Sequence, residues 1–320
     1  LAMLIPPDAM PGWQVWTLGD DIAWLHPGPD GRLYAINPEA GYFGVVPGTN
    51  RHTNRHAFEM ITRDTIFTNV ATTADNQPWW EGLDEGEHGT DWQGRPYDPK
   101  NGPAAHPNSR FTVSATQNPS YSTMADAPGG VPISAIVFGG RRREFTPLVY
   151  QARSWAHGVL VGAAVASETT AAATGKVGVV RRDPMAMKPF CGYNFADYWA
   201  HWLSFAGKVE RLPKIFNVNW FRRDADGRFL WPGFGENLRV LEWIIGRCQG
   251  TAEAVETPIG YLPTETALNR RQLDVDDATL RALLTVDNDA WKREIADIEE
   301  YLAAFDDRTP RDLRAELADV

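Results

Sequence analysis

Residues 219–237 read NWFRRDADGRFLWPGFGEN and carry the most distinctive local pattern in the chain. The alternating run over 214–221 that leads into them predicts a strand, and DADG at 224–227 predicts a turn. The chain then returns as a second short run over 228–231. The stretch therefore predicts a hairpin that leads into a glycine-flanked turn and a helix beginning at Asn237.

The aromatic residues of this stretch suggest what the turn could bind. Phe221, Phe229 and Phe234 lie around the hairpin together with two Trp, and Gly235 stands close to Asn237. Glycine lets a ligand approach the backbone closely, and aromatic rings stack on flat bases. The pattern thus favours a nucleobase site, but a core hairpin followed by a helix cap explains the same residues, and both interpretations stay open.

Composition limits the class of protein. The chain has 320 residues, 43% of them hydrophobic, which is enough for a large folded core. A formal net charge of −10 disfavours a general nucleic-acid binder, although it leaves room for a local basic pocket. No apolar run is long enough to span a membrane. The two Cys have no metal-binding or disulfide spacing, which favours reduced thiols in a cytosolic protein.

Further elements are predicted along the rest of the chain. Strands are predicted at 14–18, 22–25 and 33–36, the last two as a hairpin. Residues 75–110 are rich in Gly, Pro, Asn and Asp, which indicates a long functional loop. Helices are predicted over 145–166, from an Asn194 cap to Phe205, from Asn237 to about Cys248 with Gly250 as its stop, over 290–305, and from Thr309-Pro310 onward.

A carboxylate pair ends the first predicted strand. Gly19-Asp20-Asp21 precedes a second apolar run, and nucleotide enzymes often place a metal-binding carboxylate at the end of a strand. Asp21 is therefore a candidate metal ligand. Paired Asp residues at turns more commonly cap backbone amides, and the pattern alone does not exclude that role.

Two arginine-containing motifs are candidate anion sites. Asn108-Ser109-Arg110 ends the long loop, where an Arg fork matches a carboxylate or phosphate. The run 141–143 places three Arg directly after two glycines, which suits a polyphosphate. A surface Arg beside a turn and a basic surface corner are the plain alternatives.

The segment 167–178 is small, polar and hinge-like, which predicts a mobile lid over a site or an ordinary flexible loop. The His residues show no metal-ligand pairing, and His157 and His201 are expected to be packed core residues. No Gly-rich phosphate loop ending in Lys-Thr occurs in the sequence.

In their order along the chain, these segments resemble the GTP-dependent phosphoenolpyruvate carboxykinase family. The resemblance covers nearly the whole chain. It rests on GDDIAW at 19–24, NPEAGYFGV at 37–45, HPNSRF at 106–111, PLVY at 147–150, SETTAAA at 167–173, CGYNF at 191–195, NWF to FGEN within 219–237, and TPIGY at 257–261.

The resemblance implies a mixed α/β fold, with a nucleotide-binding mixed sheet flanked by helices. It also implies one catalytic domain over 1–320 that contains the lid at 167–178. The implied reaction converts oxaloacetate and GTP to phosphoenolpyruvate, carbon dioxide and GDP in gluconeogenesis or anaplerosis. The implied cofactor is Mn²⁺ or Mg²⁺. The implied protein is cytoplasmic, is a monomer when full length, and binds neither nucleic acid nor membrane.

The resemblance also assigns roles residue by residue. Asp21 matches the metal-binding Asp of the family. Asn108, Ser109 and Arg110 match its substrate loop, with Arg110 also near the transferred phosphoryl group. The nucleotide-binding positions are Arg141 for the phosphates, Phe221, Phe229 and Phe234 for the guanine cage, and Gly235, Glu236 and Asn237 for the run that contacts the base.

One departure concerns the start of the chain. The phosphate loop of the family, with its reactive Cys, is expected just before Leu1, and Cys191 is not that residue because it lies in another motif. We therefore expect the 320-residue chain alone to be inactive. The alternatives are a folded remnant that binds guanine nucleotide without chemistry and, more remotely, an aromatic-rich carbohydrate-binding module.

Overall fold

The computed structural model of the chain describes residues 1–83, 88–169 and 178–320. The strands are β1 (Trp24–Pro27), β2 (Leu33–Ile36), β3 (Gly41–Val45), β4 (Thr65–Thr68), β5 (Ala71–Thr73), β6 (Pro78–Trp79), β7 (His88–Thr90), β8 (Arg110–Ser114), β9 (Val131–Pro132), β10 (Ala135–Gly139), β11 (Val149–Gln151), β12 (Ala166–Glu168), β13 (Val180–Arg182), β14 (Lys214–Val218), β15 (Val255–Thr257) and β16 (Gly260–Leu262). The α-helices are α1 (Arg55–Met60), α2 (Trp155–Ala163), α3 (Phe195–Ser204), α4 (Asn237–Gln249), α5 (Asp277–Leu284), α6 (Asn288–Ala303) and α7 (Arg311–Ala318).

A five-stranded sheet in the order β10-β14-β11-β16-β15 forms the centre of the fold. The pair β10–β14 is parallel, whereas β14–β11, β11–β16 and β16–β15 are antiparallel. The sheet is therefore mixed, and with its flanking helices it confirms the predicted mixed α/β class.

Helices cover both faces of this sheet because side chains alternate along β14. Phe216 and Val218 point to one face, where they pack with Trp243 of α4. Ile215 points to the other face and packs with Val161 of α2. Gly158 lets α2 lie close to β14, since a Cβ at that position would meet the Ile215 side chain at 2.4 Å.

Smaller sheets lie on the N-terminal side of the sequence, in the orders β1-β2-β9, β3-β8-β4 and β6-β5-β7. The sheet β3-β8-β4 has its own core, which includes Tyr42, Phe111 and Trp80. No helix in the described ranges is both long and apolar enough to cross a membrane.

Helix ends follow the signals in the sequence. Asn194 caps α3, because its Oδ1 accepts a hydrogen bond from the Ala196 amide at 2.8 Å. Gly250 ends α4 with a φ of +76°. The helices predicted over 237–248 and 290–305 are confirmed as α4 and α6.

Two predictions of secondary structure were wrong. Residues 14–18 form no strand beyond one isolated bridge, from Thr17 to Tyr121. The helix predicted over 145–166 is divided into β11 and α2, because Ser154 caps a new helix by accepting from the His157 amide at 2.9 Å. A short apolar run fits a buried strand and a buried helix equally well, so its spacing could not place this boundary.

The predicted lid falls mostly outside the described residues, since 170–177 are not among them. Its flanks pair as the antiparallel strands β12 and β13. His157 is buried, as predicted, whereas His201 is exposed, because it lies on the solvent side of α3.

Candidate functional site

The hairpin after β14 brings two of the three predicted cage rings together. Phe221 and Phe229 lie edge to face with their centroids 6.2 Å apart, and an isolated bridge joins Arg223 to Phe229. Phe221 is half-buried, while Phe229 is 53% exposed. The guanidinium of Arg223 lies 4.3 Å from the Phe229 centroid. The pair therefore offers an open aromatic surface beside a cation.

Phe234 occupies a separate position in a strained turn. It opens the 3₁₀ turn Phe234–Glu236 with a φ of +50°, and its side chain is 72% exposed. Among the described residues, no ring contact joins Phe234 to Phe221 or Phe229. Gly235 packs against the N-terminal segment so closely that a Cβ would meet the Ile5 carbonyl oxygen at 2.7 Å. A large apolar ring held in solvent at a positive φ is typical of a ligand-binding position.

The remaining predicted base-binding residues face different partners. Asn237, the first residue of α4, accepts a hydrogen bond at its Oδ1 from Trp231 Nε1 at 2.8 Å. Glu236 forms an ion pair with the buried Arg239. Glu236 therefore supports the turn through α4, while Asn237 keeps its amide nitrogen for another partner.

The three adjacent arginines have three different environments. Arg142 makes a bidentate ion pair with Glu294 of α6 at 3.0 and 2.7 Å, and Arg143 pairs with Glu168 at 2.6 Å. Arg141 forms no ion pair with any described carboxylate, and its guanidinium lies 5.3 Å from the Phe221 centroid. Arg141 is therefore the member of the run that remains available for an anion, and it stands beside the aromatic pair.

Asn219 connects the arginines to the aromatic pair. It is fully buried, its Nδ2 donates to the carbonyl oxygens of Arg142 at 2.9 Å and Thr146 at 3.1 Å, and its Oδ1 accepts from the amides of Phe221 at 3.2 Å and Arg142 at 3.3 Å. All its hydrogen-bonding capacity is thus used to fix the backbone on both sides of the site.

The candidate metal ligand lies in a loop that a neighbouring motif holds in place. The Nδ2 of Asn37 donates to the Leu18 carbonyl at 2.5 Å, and the Ile22 amide donates to Glu39 Oε2 at 3.1 Å. A Cβ on Gly19 would meet the Asn37 side chain at 2.6 Å, so this contact requires glycine. The segments 19–24 and 37–45 therefore hold each other in place, and Asp21 is exposed to solvent on the loop that they form.

Carboxylates are concentrated around Asp21. Burial, followed by the charges of Glu39 and Asp21, raises the pKa of Asp20 to about 6. A divalent cation would relieve this repulsion. Within the described ranges no three His, Cys, Asp or Glu residues are placed to hold a metal ion together. The donors fit a Mg²⁺- or Mn²⁺-type ion bound through one or two carboxylates, with phosphate and water completing its shell.

The predicted substrate loop begins β8. Arg110 Nε donates to Asn108 Oδ1 at 2.9 Å, and its guanidinium lies 5.2 Å from the Phe43 centroid. Ser109 is fully buried, and its Oγ has no hydrogen-bond partner in the described part of the chain. Arg110 and Asn108 thus form one half-buried polar unit, while Ser109 points into the protein.

A groove connects the carboxylate loop to the turn at Phe234. A cleft of about 870 Å³ is lined by Asp20, Asp21 and Phe111, the residue that follows Arg110. A second cleft of about 360 Å³ is lined by Phe234, Gly235 and Asn237. Leu1, Met3 and Asn54 line both clefts, so the two are adjacent.

Three residues outside the predicted site support this arrangement. Asn219, Trp231 and Glu294 are not among the predicted site residues, although each contacts one that is, or its immediate neighbour in sequence. Asn219 and Trp231 lie within the distinctive stretch 219–237, so their position was a signal. Glu294 lies in α6, far along the chain, and only the folded structure brings it to the arginines.

The chain is similar in sequence to proteins of known family. The family model described as the phosphoenolpyruvate carboxykinase C-terminal P-loop domain matches residues 1–320. A phosphoenolpyruvate carboxykinase [GTP] of Chlamydia abortus is 54% identical over 321 residues, covering 99% of this chain and 53% of the relative. The protein of the same name from Anaeromyxobacter dehalogenans is 52% identical over 317 residues, covering 98% of this chain and 53% of the relative.

The chain spans about half the length of the curated relatives it matches. The match to the family model runs from the first residue to the last. The chain therefore belongs to the phosphoenolpyruvate carboxykinase family of GTP-dependent enzymes.

Proposed function

We propose that the chain supplies the guanine-nucleotide site and part of the metal and substrate site of a GTP-dependent phosphoenolpyruvate carboxykinase. The reaction is oxaloacetate plus GTP to phosphoenolpyruvate, carbon dioxide and GDP. The observation that carries the proposal is the position of Arg141, which lies beside the Phe221–Phe229 pair and has no carboxylate partner among the described residues. This arrangement suits a purine base joined to a phosphate chain.

Binding of the base uses the aromatic residues. Phe221 and Phe229 offer ring surface, and the exposed Phe234 and the amide of Asn237 line the cleft of about 360 Å³. Stacking of a base on aromatic rings is worth about 1–3 kcal/mol for each base. The rings therefore provide affinity, while the amide distinguishes between bases.

Cationic side chains neutralise the anionic parts of the reactants. Arg141 is proposed to bind the nucleotide phosphates, and Arg110, held by Asn108, the carboxylate of the substrate and the phosphoryl group in transfer. Such groups accelerate phosphoryl transfer mainly by positioning the reactants and stabilising charge. Because no protein nucleophile is needed, Ser109 can remain buried behind them.

Asp21 is proposed to hold a divalent metal ion, Mn²⁺ or Mg²⁺. When bound, such an ion would offset negative charge on the phosphates and on the enolate formed by decarboxylation. The chain's own contribution is a carboxylate presented by the loop that Asn37 and Glu39 fix in place.

The biological setting is part of the same proposal. We place the reaction in gluconeogenesis or anaplerosis in the cytoplasm, with the protein acting as a monomer and residues 167–178 serving as a lid. The free thiols of Cys191 and Cys248 are compatible with a reducing compartment.

Calorimetric titration with GDP tests the nucleotide site. We expect Arg141→Ala to weaken GDP binding about tenfold, the size of one lost charge-assisted hydrogen bond. Arg293→Ala, which removes an exposed arginine of α6, is the matched control and should leave GDP binding unchanged. Equal GDP affinity in the wild type and Arg141→Ala would contradict the proposal.

A further inference from the structure

The side-chain amide of Asn237 is held in one orientation by Trp231. The Trp231 ring is 1% exposed, and its Nε1–H donates to Asn237 Oδ1 at 2.8 Å. An indole nitrogen can only donate a hydrogen bond. The oxygen of the amide must therefore face Trp231, and the nitrogen must face the opposite side.

The buried Trp231 ring cannot turn its Nε1–H away from Asn237. It is packed in the main core cluster with Val218 of β14 and Val240 of α4. Because a buried ring in a close-packed core keeps its rotamer, the indole N–H stays directed at Asn237. The core of the protein thus determines which end of a half-buried surface amide faces the cleft.

The exposed end of the amide is a hydrogen-bond donor. Asn237 lines the 360 Å³ cleft together with Phe234 and Gly235, and in the described part of the chain its Nδ2 has no acceptor. Guanine presents the acceptor O6 where adenine presents the donor N6–H₂. A fixed donor therefore matches guanine and opposes adenine.

We propose that Trp231 is a positioning residue that sets the preference for guanine over adenine by holding the Asn237 amide with its nitrogen toward the base. This inference rests on the proposed nucleotide site. Without the indole N–H, the amide can rotate and present either its oxygen or its nitrogen, so the site should accept both purines more equally.

The test compares Trp231→Phe with Trp243→Phe by calorimetric titration with GDP and ADP. Trp243 is a matched control, because it is equally buried in the same cluster and also donates one hydrogen bond, to the Glu253 carbonyl at 2.9 Å. We expect the ratio of the ADP and GDP dissociation constants to fall about tenfold in Trp231→Phe, the worth of one hydrogen bond. The control should keep the wild-type ratio even if its melting temperature falls.

A second variant covers the case in which Trp231→Phe does not fold. Asn237→Asp keeps an acceptor for the indole but presents only oxygen to the base, so the preference should shift toward ADP. The inference is wrong if Asn237→Asp keeps the wild-type ratio, if a folded Trp231→Phe does, or if Trp243→Phe loses the preference equally. A wild-type chain that binds neither nucleotide would instead refute the proposed nucleotide site.

Discussion

At the scale of single residues, chemical identity matters less than the partners that the fold supplies. Arg141, Arg142 and Arg143 are identical in sequence terms, but Glu294 neutralises the second and Glu168 the third. The Arg142–Glu294 pair is mostly buried and holds its geometry, because breaking it would leave a charge without compensation. Arg142 therefore helps to fix the backbone next to Arg141.

Asn219, which fixes the backbone on both sides of the site, is predicted to be the residue most sensitive to substitution. Asn219→Ala removes the partners of two carbonyls and two amides, so we expect a loss of about 3 kcal/mol in unfolding free energy and weaker GDP binding. Urea unfolding and calorimetry measure the two effects. Asn118→Ala is the control, since Asn118 is also buried but makes two such bonds, with Tyr42 and Ser120. Unchanged GDP affinity in folded Asn219→Ala would show that the site does not depend on the backbone hydrogen bonds of Asn219.

The buried His157 predicts a defined acid sensitivity. Burial, and next the charge of Arg153, lower the pKa of His157 to about 4, below its usual value of 6.5. The folded protein holds this ring neutral, whereas the unfolded chain protonates it below about pH 6.5. The free energy of unfolding is therefore highest above pH 6.5 and falls as the pH is lowered toward 4.

The lowered pKa of His157 corresponds to about 3 kcal/mol of unfolding free energy. We therefore expect the unfolding free energy of the wild type to fall by that amount relative to His157→Gln between pH 7.5 and pH 4, measured by urea unfolding. A constant difference between wild type and His157→Gln across this range would refute the assignment.

At the scale of secondary-structure elements, the turn at 233–236 holds an exposed ring at some cost in stability. Phe234 has a positive φ, which costs a residue with a Cβ about 1 kcal/mol, and its ring gains little burial in return. Phe234→Gly should leave the melting temperature nearly unchanged, because relief of strain offsets the added flexibility of the unfolded chain.

The same variant should weaken GDP binding at least tenfold, since it removes a stacking surface. Phe190→Gly is the control, because Phe190 is also exposed, at 66%, and lies outside the clefts. Thermal melts and calorimetry separate the two properties. A large fall in melting temperature with unchanged affinity would mean that the ring is structural.

The elements also show which helix ends and boundaries can be predicted from sequence patterns. The helix from Asn237 to Gly250 and the cap at Asn194 were predicted correctly because their signals are local, residing in a side-chain acceptor or a glycine at a helix end. The boundary at Ser154 was missed because strand and helix share one apolar run there. Candidate residues could be named from motifs, but the pairing of Arg142 with Glu294 depends on two segments far apart in sequence.

At the scale of the whole molecule, the charge distribution explains how an acidic protein can hold an anionic nucleotide. The chain carries a formal charge of −10, but Arg141 and Arg223 lie against the aromatic pair Phe221 and Phe229. Asp20 and Asp21 line the larger cleft, with Glu39 close to Asp20. A nucleotide spanning the two adjacent clefts would meet Phe234 at one end and the carboxylate of Asp21 at the other.

This layout predicts that GDP and Mn²⁺ strengthen each other's binding. An ion at Asp21 would reduce the repulsion between the acidic loop and the phosphates, and such coupling is typically 5- to 150-fold and reciprocal. We expect Mn²⁺ to raise the GDP affinity of the wild type about tenfold, whereas Asp21→Asn should lose most of this enhancement and bind GDP without metal at least as tightly. Asp307→Asn removes an exposed carboxylate of the C-terminal region and should retain the full enhancement. Calorimetric titrations of GDP with and without Mn²⁺ measure the coupling, and an equal enhancement in Asp21→Asn would place the metal ion elsewhere in the protein.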